Sequence, residues 1–267
     1  MTNVVLLSGR SVVEVSGEDR VSFLQGLVSN DVAMVAPGVA VWAALLTAQG
    51  KWLADFFMFS SEHAVLLDCE AGQAADVARR LGRYRLRAKV AIAPVDLAVY
   101  AAWAGEPPAT ALAAPDPRLP EAGWRLLSPT PLDATVGEAE YDRHRIGLGL
   151  PDGSRDLDAE KSVLLEAGFG ELNGISWTKG CYMGQELTAR TRYRGLLKRR
   201  LVPVRATSDL PKSGTPILSS GAEVGVLRSR QSEVGLALVR LDALDAALTC
   251  DGAPVAVRLP SWLQRPH

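Results

Sequence analysis

The order of strand and helix signals in the first hundred residues restricts the fold more than any other feature. Val39 to Thr47 and Lys51 to Phe59 are apolar and aromatic runs on either side of Ala48-Gln49-Gly50. Two such runs around a short Gly-containing turn predict a hairpin. Ala64 to Asp68 predicts a third strand, giving a meander. Upstream, Val4 to Leu7 and Ser11 to Val15 read as short strands separated by Gly9. Glu18 to Ser29 then places Val21, Leu24, Gln25 and Val28 at helical spacing, with Ser16 as its cap and acids in its first turn. Ala71 to Leu81 predicts a second helix with Ala74, Val77, Ala78 and Leu81 inward, and Asp96 to Trp103 another strand. The order β-β-α-β-β-β-α-β is that of an α+β sheet domain and not of a doubly wound parallel one.

Further on, Gly105 to Gly123 is rich in Pro and Ala and predicts a loop. Glu138 to Ile146 reads as a helix, Leu150 to Glu160 as a polar loop, and Lys161 to Ala167 as a short helix. After Arg200 the texture changes. Leu201 to Arg205, Thr215 to Ser219, Glu223 to Ser229, Val234 to Leu241 and Pro254 to Leu259 are short strands punctuated by Gly and Pro. That pattern predicts a small all-β barrel or sandwich. The expected division is therefore residues 1–200 and 201–267.

Whole-chain properties exclude several function classes. At 267 residues, 48% hydrophobic and 22% charged, the chain has the make-up of a soluble globular protein with a sizeable core. No apolar run approaches about 18 residues, so no membrane span is expected. A net charge of −1 argues against a wholesale nucleic-acid binder. Cys69, Cys181 and Cys250 are odd in number and widely spaced, which suits a reducing compartment. Met1 to Arg10 has no signal-like or transit-like composition, so a cytoplasmic protein is expected. His63, His144 and His267 form no metal-ligand spacing with the cysteines. There is no phosphate-binding Gly-rich loop or nucleophile elbow.

The chemistry concentrates in Lys179-Gly180-Cys181-Tyr182-Met183-Gly184-Gln185-Glu186. Glycine at 180 and 184 lets backbone turn sharply or approach a ligand closely. Gly184 to Arg192 reads as a helix, which puts Cys181 just before its N-terminus, two residues from Lys179. Both features favour a thiolate. The other reading of the same residues is an inert, buried thiol in a Gly-rich turn.

This octapeptide resembles the signature of the YgfZ family, folate-binding relatives of the glycine-cleavage T-protein. The resemblance extends to Leu172–Thr178 before it, Arg194–Leu201 after it, Tyr84–Val90, and Phe23–Val32. These stretches look like the branch containing the mitochondrial iron–sulfur assembly homologue. The resemblance implies a T-protein-like fold of interleaved subdomains with a C-terminal β-barrel. It implies a tetrahydrofolate-binding accessory protein for iron–sulfur cluster assembly, supporting [4Fe–4S] enzymes with an A-type carrier as partner. Cys181 would then be the reactive thiolate and Lys179 its charge partner. Folate contacts would come from Asp55, Glu166, Trp177, Tyr182, Gln185, Glu186 and Arg190. Two departures stand out. Ala54 occupies one place of the T-protein's paired aspartates, leaving Asp55 in the other. Gly147, in Arg145-Ile146-Gly147-Leu148-Gly149, stands where a pterin-holding glutamate would be, with Glu166 as a substitute. The alternatives are a folate-dependent aminomethyl or one-carbon transferase, and a factor supporting tRNA modification. Basic clusters at 79–89 and 190–200 read either as solvated surface or as an anion-binding face; nothing resembles a base-reading nucleic-acid motif.

Overall fold

The computed structural model describes residues 1–109 and 112–263. The chain opens with β1 (Asn3–Leu6) and β2 (Arg10–Ser16), then α1 (Arg20–Gln25), the hairpin β3 (Val41–Leu46) and β4 (Trp52–Ser60), and β5 (Ala64–Glu70). It continues with α2 (Ala71–Arg83), β6 (Ala91–Val95), β7 (Ala98–Trp103), β8 (Leu112–Pro115), β9 (Trp124–Ser128) and α3 (Glu138–Leu148). A largely irregular stretch leads to α4 (Gln185–Tyr193). The strands β10 (Arg199–Ala206), β11 (Pro216–Ser219), β12 (Ala222–Gln231), β13 (Val234–Arg240), β14 (Leu248–Cys250) and β15 (Ala253–Val257) complete it.

Three sheets result. One is β1-β7-β9-β8, the second β3-β4-β5-β2-β6, and the third a closed barrel β10-β13-β12-β11-β14-β15. The predicted strands at 4–7 and 11–15 do not pair with each other: β1 joins β7 and β2 joins β5 and β6. The chain thus enters the first sheet, builds the second, and returns, so the two units interleave.

Strands β3, β4 and β5 are buried on both faces. Trp42, Ala44, Leu46, Phe57 and Phe59 face a core shared with the first sheet and the 141–182 region. Val41, Ala43, Leu45, Phe56 and Met58 face α1 and α2. Trp42 stacks on Phe169 with ring centroids 3.9 Å apart, worth about 0.5–1.5 kcal/mol beyond area burial. The barrel carries its own core around Val202, Leu227, Val239 and Cys250.

Buried ion pairs tie these layers together. Arg10 donates to the Asp68 carboxylate at 2.7 Å and to its carbonyl at 2.6 Å. Arg145 donates to Asp142 at 2.7 Å and to Asp156 at 3.0 Å, and Arg155 holds Asp142 at 2.6 Å. Arg118 grips Asp116 at 2.7 Å and the Pro151 carbonyl at 3.0 Å. Burial alone would raise the Asp152 carboxyl, but Arg145, Arg10 and Arg155 outweigh it and hold it well below the ordinary carboxylate range.

Several sequence expectations need correction. The helix expected over 18–29 is only Arg20–Gln25, because beyond Gly26 the chain turns to bridge Val28 to Leu45 and to donate from Ser29 N to Ala44 O at 2.9 Å. The Pro-rich stretch contains β8, and β9 follows it. The loop at 150–160 is polar in composition only, since Asp156 is buried. The helix expected over 161–167 is a 3₁₀ turn at Leu164–Ala167. The barrel has a further strand, β14, within 241–254.

Candidate functional site

Three of the family-like stretches converge, although the first and last lie about 150 residues apart. Ser29 Oγ donates to Gly174 O at 2.7 Å and accepts from Ala44 N at 2.8 Å. Asn30 Nδ2 donates to Asn173 O at 2.7 Å and to Trp42 O at 2.8 Å. Met183 N donates to Gly26 O at 3.1 Å, and Ser176 N to Ser29 O at 3.1 Å. From the third stretch, Tyr84 places its hydroxyl 3.4 Å from Met183 Sδ.

The loop is also seated on the turn of the β3–β4 hairpin. Gly184 has φ +80°, and a Cβ there would lie 2.4 Å from Thr47 O and 3.0 Å from Gly50 Cα. Gly50 has φ +80° as well, and its Cβ would lie 2.5 Å from Gly184 O. The two glycines pack backbone against backbone, so the hairpin turn fixes where the signature sits. Gly180 is different: a Cβ there meets nothing within 4 Å.

Within this clamp Cys181 is exposed, whereas Cys69 and Cys250 are buried. Burial pushes the Cys69 thiol up to about 12. The Lys179 ammonium donates to Val28 O at 2.8 Å and Asn30 O at 2.7 Å, and lies 5.2 Å from the Tyr182 ring centroid. Burial pushes Lys179 down to about 8, with Asp31 partly opposing. Gln185 Oε1 accepts from Tyr182 N at 3.3 Å, closing the loop onto the first residue of α4. The Arg192 guanidinium covers the half-buried Trp177 ring at 3.9 Å. Glu186 and Arg190 are exposed on α4.

Two expected site residues lie elsewhere. Asp55 is 4% exposed, and its carboxylate accepts from Trp42 Nε1 at 2.9 Å and Trp52 Nε1 at 3.1 Å. Burial pushes its carboxyl up, with Arg10 and the Trp42 bond pulling back. Glu166 pairs with Arg199 at 3.1 and 3.3 Å. It lines a cleft of about 600 Å³ with Leu196, Lys198, Arg199, Arg240, Leu241 and Asp242. Arg200 of the second basic cluster is structural, buried with Leu165 O at 2.7 Å and Glu171 at 2.6 Å. The clasp residues Ser29 and Asn30 lie in the family-like stretch Phe23–Val32, but as small polar residues at a predicted helix end they carry no chemical signal of their own.

The arrangement can do one kind of chemistry directly. An exposed thiol on a backbone-clamped loop can ligate a soft metal or be oxidised, while its surroundings stay fixed. Among the described residues, no three His, Cys, Asp or Glu side chains gather as a metal site, and no helix is long and apolar enough to cross a membrane.

Comparison with known proteins identifies the chain's relatives. Residues 198–265 match the model of the CAF17 C-terminal β-barrel domain. The chain is 35% identical over 298 residues to the human mitochondrial iron–sulfur cluster assembly factor IBA57, covering 96% of this chain and 84% of that one. The chain belongs to the YgfZ/IBA57 family. The mouse member is 33% identical with the same coverage. A Neurospora crassa homologue is 32% identical, covering 78% of this chain and 56% of that one. The family's T-protein-like architecture is seen in the aminomethyltransferase T of the glycine cleavage system from Bartonella henselae. That structure matches with TM-score 0.78 at 15% identity over 100% of this chain and 87% of that one. The relatives also correct one expectation. These IBA57 proteins are mitochondrial, which overturns the cytoplasmic assignment. The assignment rested on ten residues, and targeting segments are separable from the fold they deliver.

Proposed function

We propose that this protein is an iron–sulfur cluster assembly factor supporting [4Fe–4S] enzymes, with Cys181 as the group that meets the cluster. The observation that carries the reading is that Cys181 is exposed on a clamped loop while the other two cysteines are buried. The relatives named as iron–sulfur cluster assembly factors support the same reading. A thiol binds cluster iron as the thiolate, releasing its proton to solvent as the Fe–S bond forms. Clusters are usually held by about four cysteines, so the remaining ligands come from a partner, for which an A-type carrier is the natural class. Tyr182, Gln185 and Glu186 hold and flank the loop. The test uses cells lacking their own family member, supplied with wild type, Cys181→Ala or Cys69→Ala, with aconitase activity as readout. Restoration by wild type and Cys69→Ala but not by Cys181→Ala is expected. Full restoration by Cys181→Ala removes the thiol from the mechanism.

A second reading, tetrahydrofolate binding, is favoured by the cleft at Glu166. A pterin presents adjacent N–H donors that a carboxylate matches bidentately. Glu166 offers that carboxylate once its half-exposed partner Arg199 turns away. Lys198, Arg199 and Arg240 would then face the anionic glutamate tail. Asp55 takes no part, sealed behind two indoles, which removes the support for aminomethyl transfer. Titration with 5-formyltetrahydrofolate tests this. Saturable binding that Glu166→Ala weakens at least about tenfold is expected from the loss of a charge-assisted bidentate contact. Equal binding by the variant sinks it.

A further inference from the structure

Away from the signature, strand β12 carries a register shift between Leu227 and Arg230. Bulges re-aim side chains that a regular strand would send to opposite faces. Here Arg228, Ser229 and Arg230 all line a cleft of about 360 Å³, closed on its other sides by Ser154, Arg155 and Ser213. No carboxylate is among its lining residues.

The donors in this cleft are not satisfied internally. Ser229 is 3% exposed, and its Oγ has no hydrogen-bond partner. Arg228 Nε is buried and likewise without an acceptor. Leaving such groups unpaired costs roughly 1–3 kcal/mol each, so each marks a place where an acceptor belongs. The far ends of the arginines are fixed. Arg228 Nη1 and Nη2 donate to Asp158 at 2.9 and 2.6 Å. Arg155 is held by Asp142 and Asp152. The backbone N–H of Ser229 donates to Asp156 at 2.9 Å, which fixes the main chain at this point of the cleft wall. Arg230 is exposed, and no carboxylate pairs with it among the described residues, so its charge is the uncompensated one.

We propose that this cleft is a phosphate-binding subsite, taking inorganic phosphate or the phosphate of a small phosphomonoester. The lining supplies several donors: the Arg228 Nε, the buried Ser229 hydroxyl, the Arg230 guanidinium and the Ser213 hydroxyl. A tetrahedral oxyanion with several acceptor oxygens meets such a set, whereas a planar carboxylate is matched by one guanidinium fork. The cleft's volume sits near the lower end of small-molecule sites, which excludes a large ligand.

The test is an amide-resonance titration of the whole protein with inorganic phosphate at constant ionic strength, with chloride as the comparator and AMP as a second ligand. Saturable shifts at residues 213–214 and 228–230 are expected with phosphate and not with chloride. Arg230→Ala weakens this binding by about tenfold or more, the scale of one charge-assisted hydrogen bond. Ser229→Ala weakens binding while leaving the unliganded protein as stable as before or more so, because it removes an unpaired buried hydroxyl. That split separates a ligand contact from a structural one. Tighter binding of AMP at the same amides identifies a phosphomonoester as the source; tighter binding of phosphate identifies the free ion. Shifts that track chloride equally, or survive Arg230→Ala unchanged, overturn the subsite. So does binding to phosphatidic-acid vesicles with no response to either soluble ligand.

Discussion

Gly184 and Gly180 flank Cys181 within the same signature, yet the structure asks very different things of them. At 184 the backbone is left-handed, which costs a non-glycine residue roughly 1–2 kcal/mol. The added Cβ would also lie 2.4 Å from Thr47 O and 2.9 Å from Leu46 Cβ. Both neighbours belong to the hairpin and cannot rotate away, so an overpacking cost of roughly 1–3 kcal/mol applies. Gly184→Ala should therefore destabilise by about 2–5 kcal/mol, a large part of the stability of an ordinary domain. Gly180→Ala meets open space and no left-handed strain. It should be neutral, or stabilising by roughly 0.4–1 kcal/mol through the unfolded chain. Urea unfolding followed by tryptophan fluorescence measures both. A second readout is the rate at which an aromatic disulfide reagent modifies Cys181, since the loop loses its seat in Gly184→Ala and keeps it in Gly180→Ala. If Gly184→Ala unfolds at the wild-type urea midpoint with unchanged thiol reactivity, the hairpin does not hold the signature and the reasoning fails.

Asp55→Ala should cost about 2–4 kcal/mol by leaving two buried indole donors unpaired, measurable by thermal unfolding. Because burial raises the folded-state pKa of Asp55, the folded state retains a proton that the unfolded state has lost. Wild type should therefore lose stability relative to Asp55→Asn as pH rises above about 4, the ordinary aspartate value; parallel pH profiles would refute this. Asp152 has the opposite sign. Its depressed pKa contributes stability above the ordinary carboxylate range that is lost as pH falls below about 4. Asp152→Asn should therefore flatten the acid limb, and an unaltered limb removes Asp152 as its source. Trp177→Ala removes the ring under Arg192 and should cost about 0.5–2 kcal/mol. A double-mutant cycle with Arg192→Ala that shows no coupling would assign the loss to burial alone.

Local patterns made some of this architecture readable from sequence. The β3–β4 hairpin, α2 and α4 lie where turn chemistry and helical spacing place them, because those signals come from neighbouring residues. The facing of Asp55 was not readable by alternation, since β4 is buried on both faces. Asp156 reads as loop polarity because its partner Arg145 sits on α3, and Asp152 because Arg155, its neighbour, is only one of its partners and Arg10 comes from β2. The octapeptide located Cys181, but not the seat beneath it. In sequence Gly50 and Gly184 read only as turn formers, and their shared positive φ and mutual contact show the clasp.

That clasp has a consequence for biosynthesis. Lys179 reaches back 151 positions to the Val28 carbonyl, and Ser29 reaches forward 145 positions to that of Gly174. Contacts of such separation form late, after long loops have closed. During synthesis the N-terminal half waits with its share of the seat unfilled until residues 173–184 leave the ribosome. The thiol acquires its final surroundings only when that gap is closed, so a truncated or misfolded chain exposes a cysteine without the clamp that orients it.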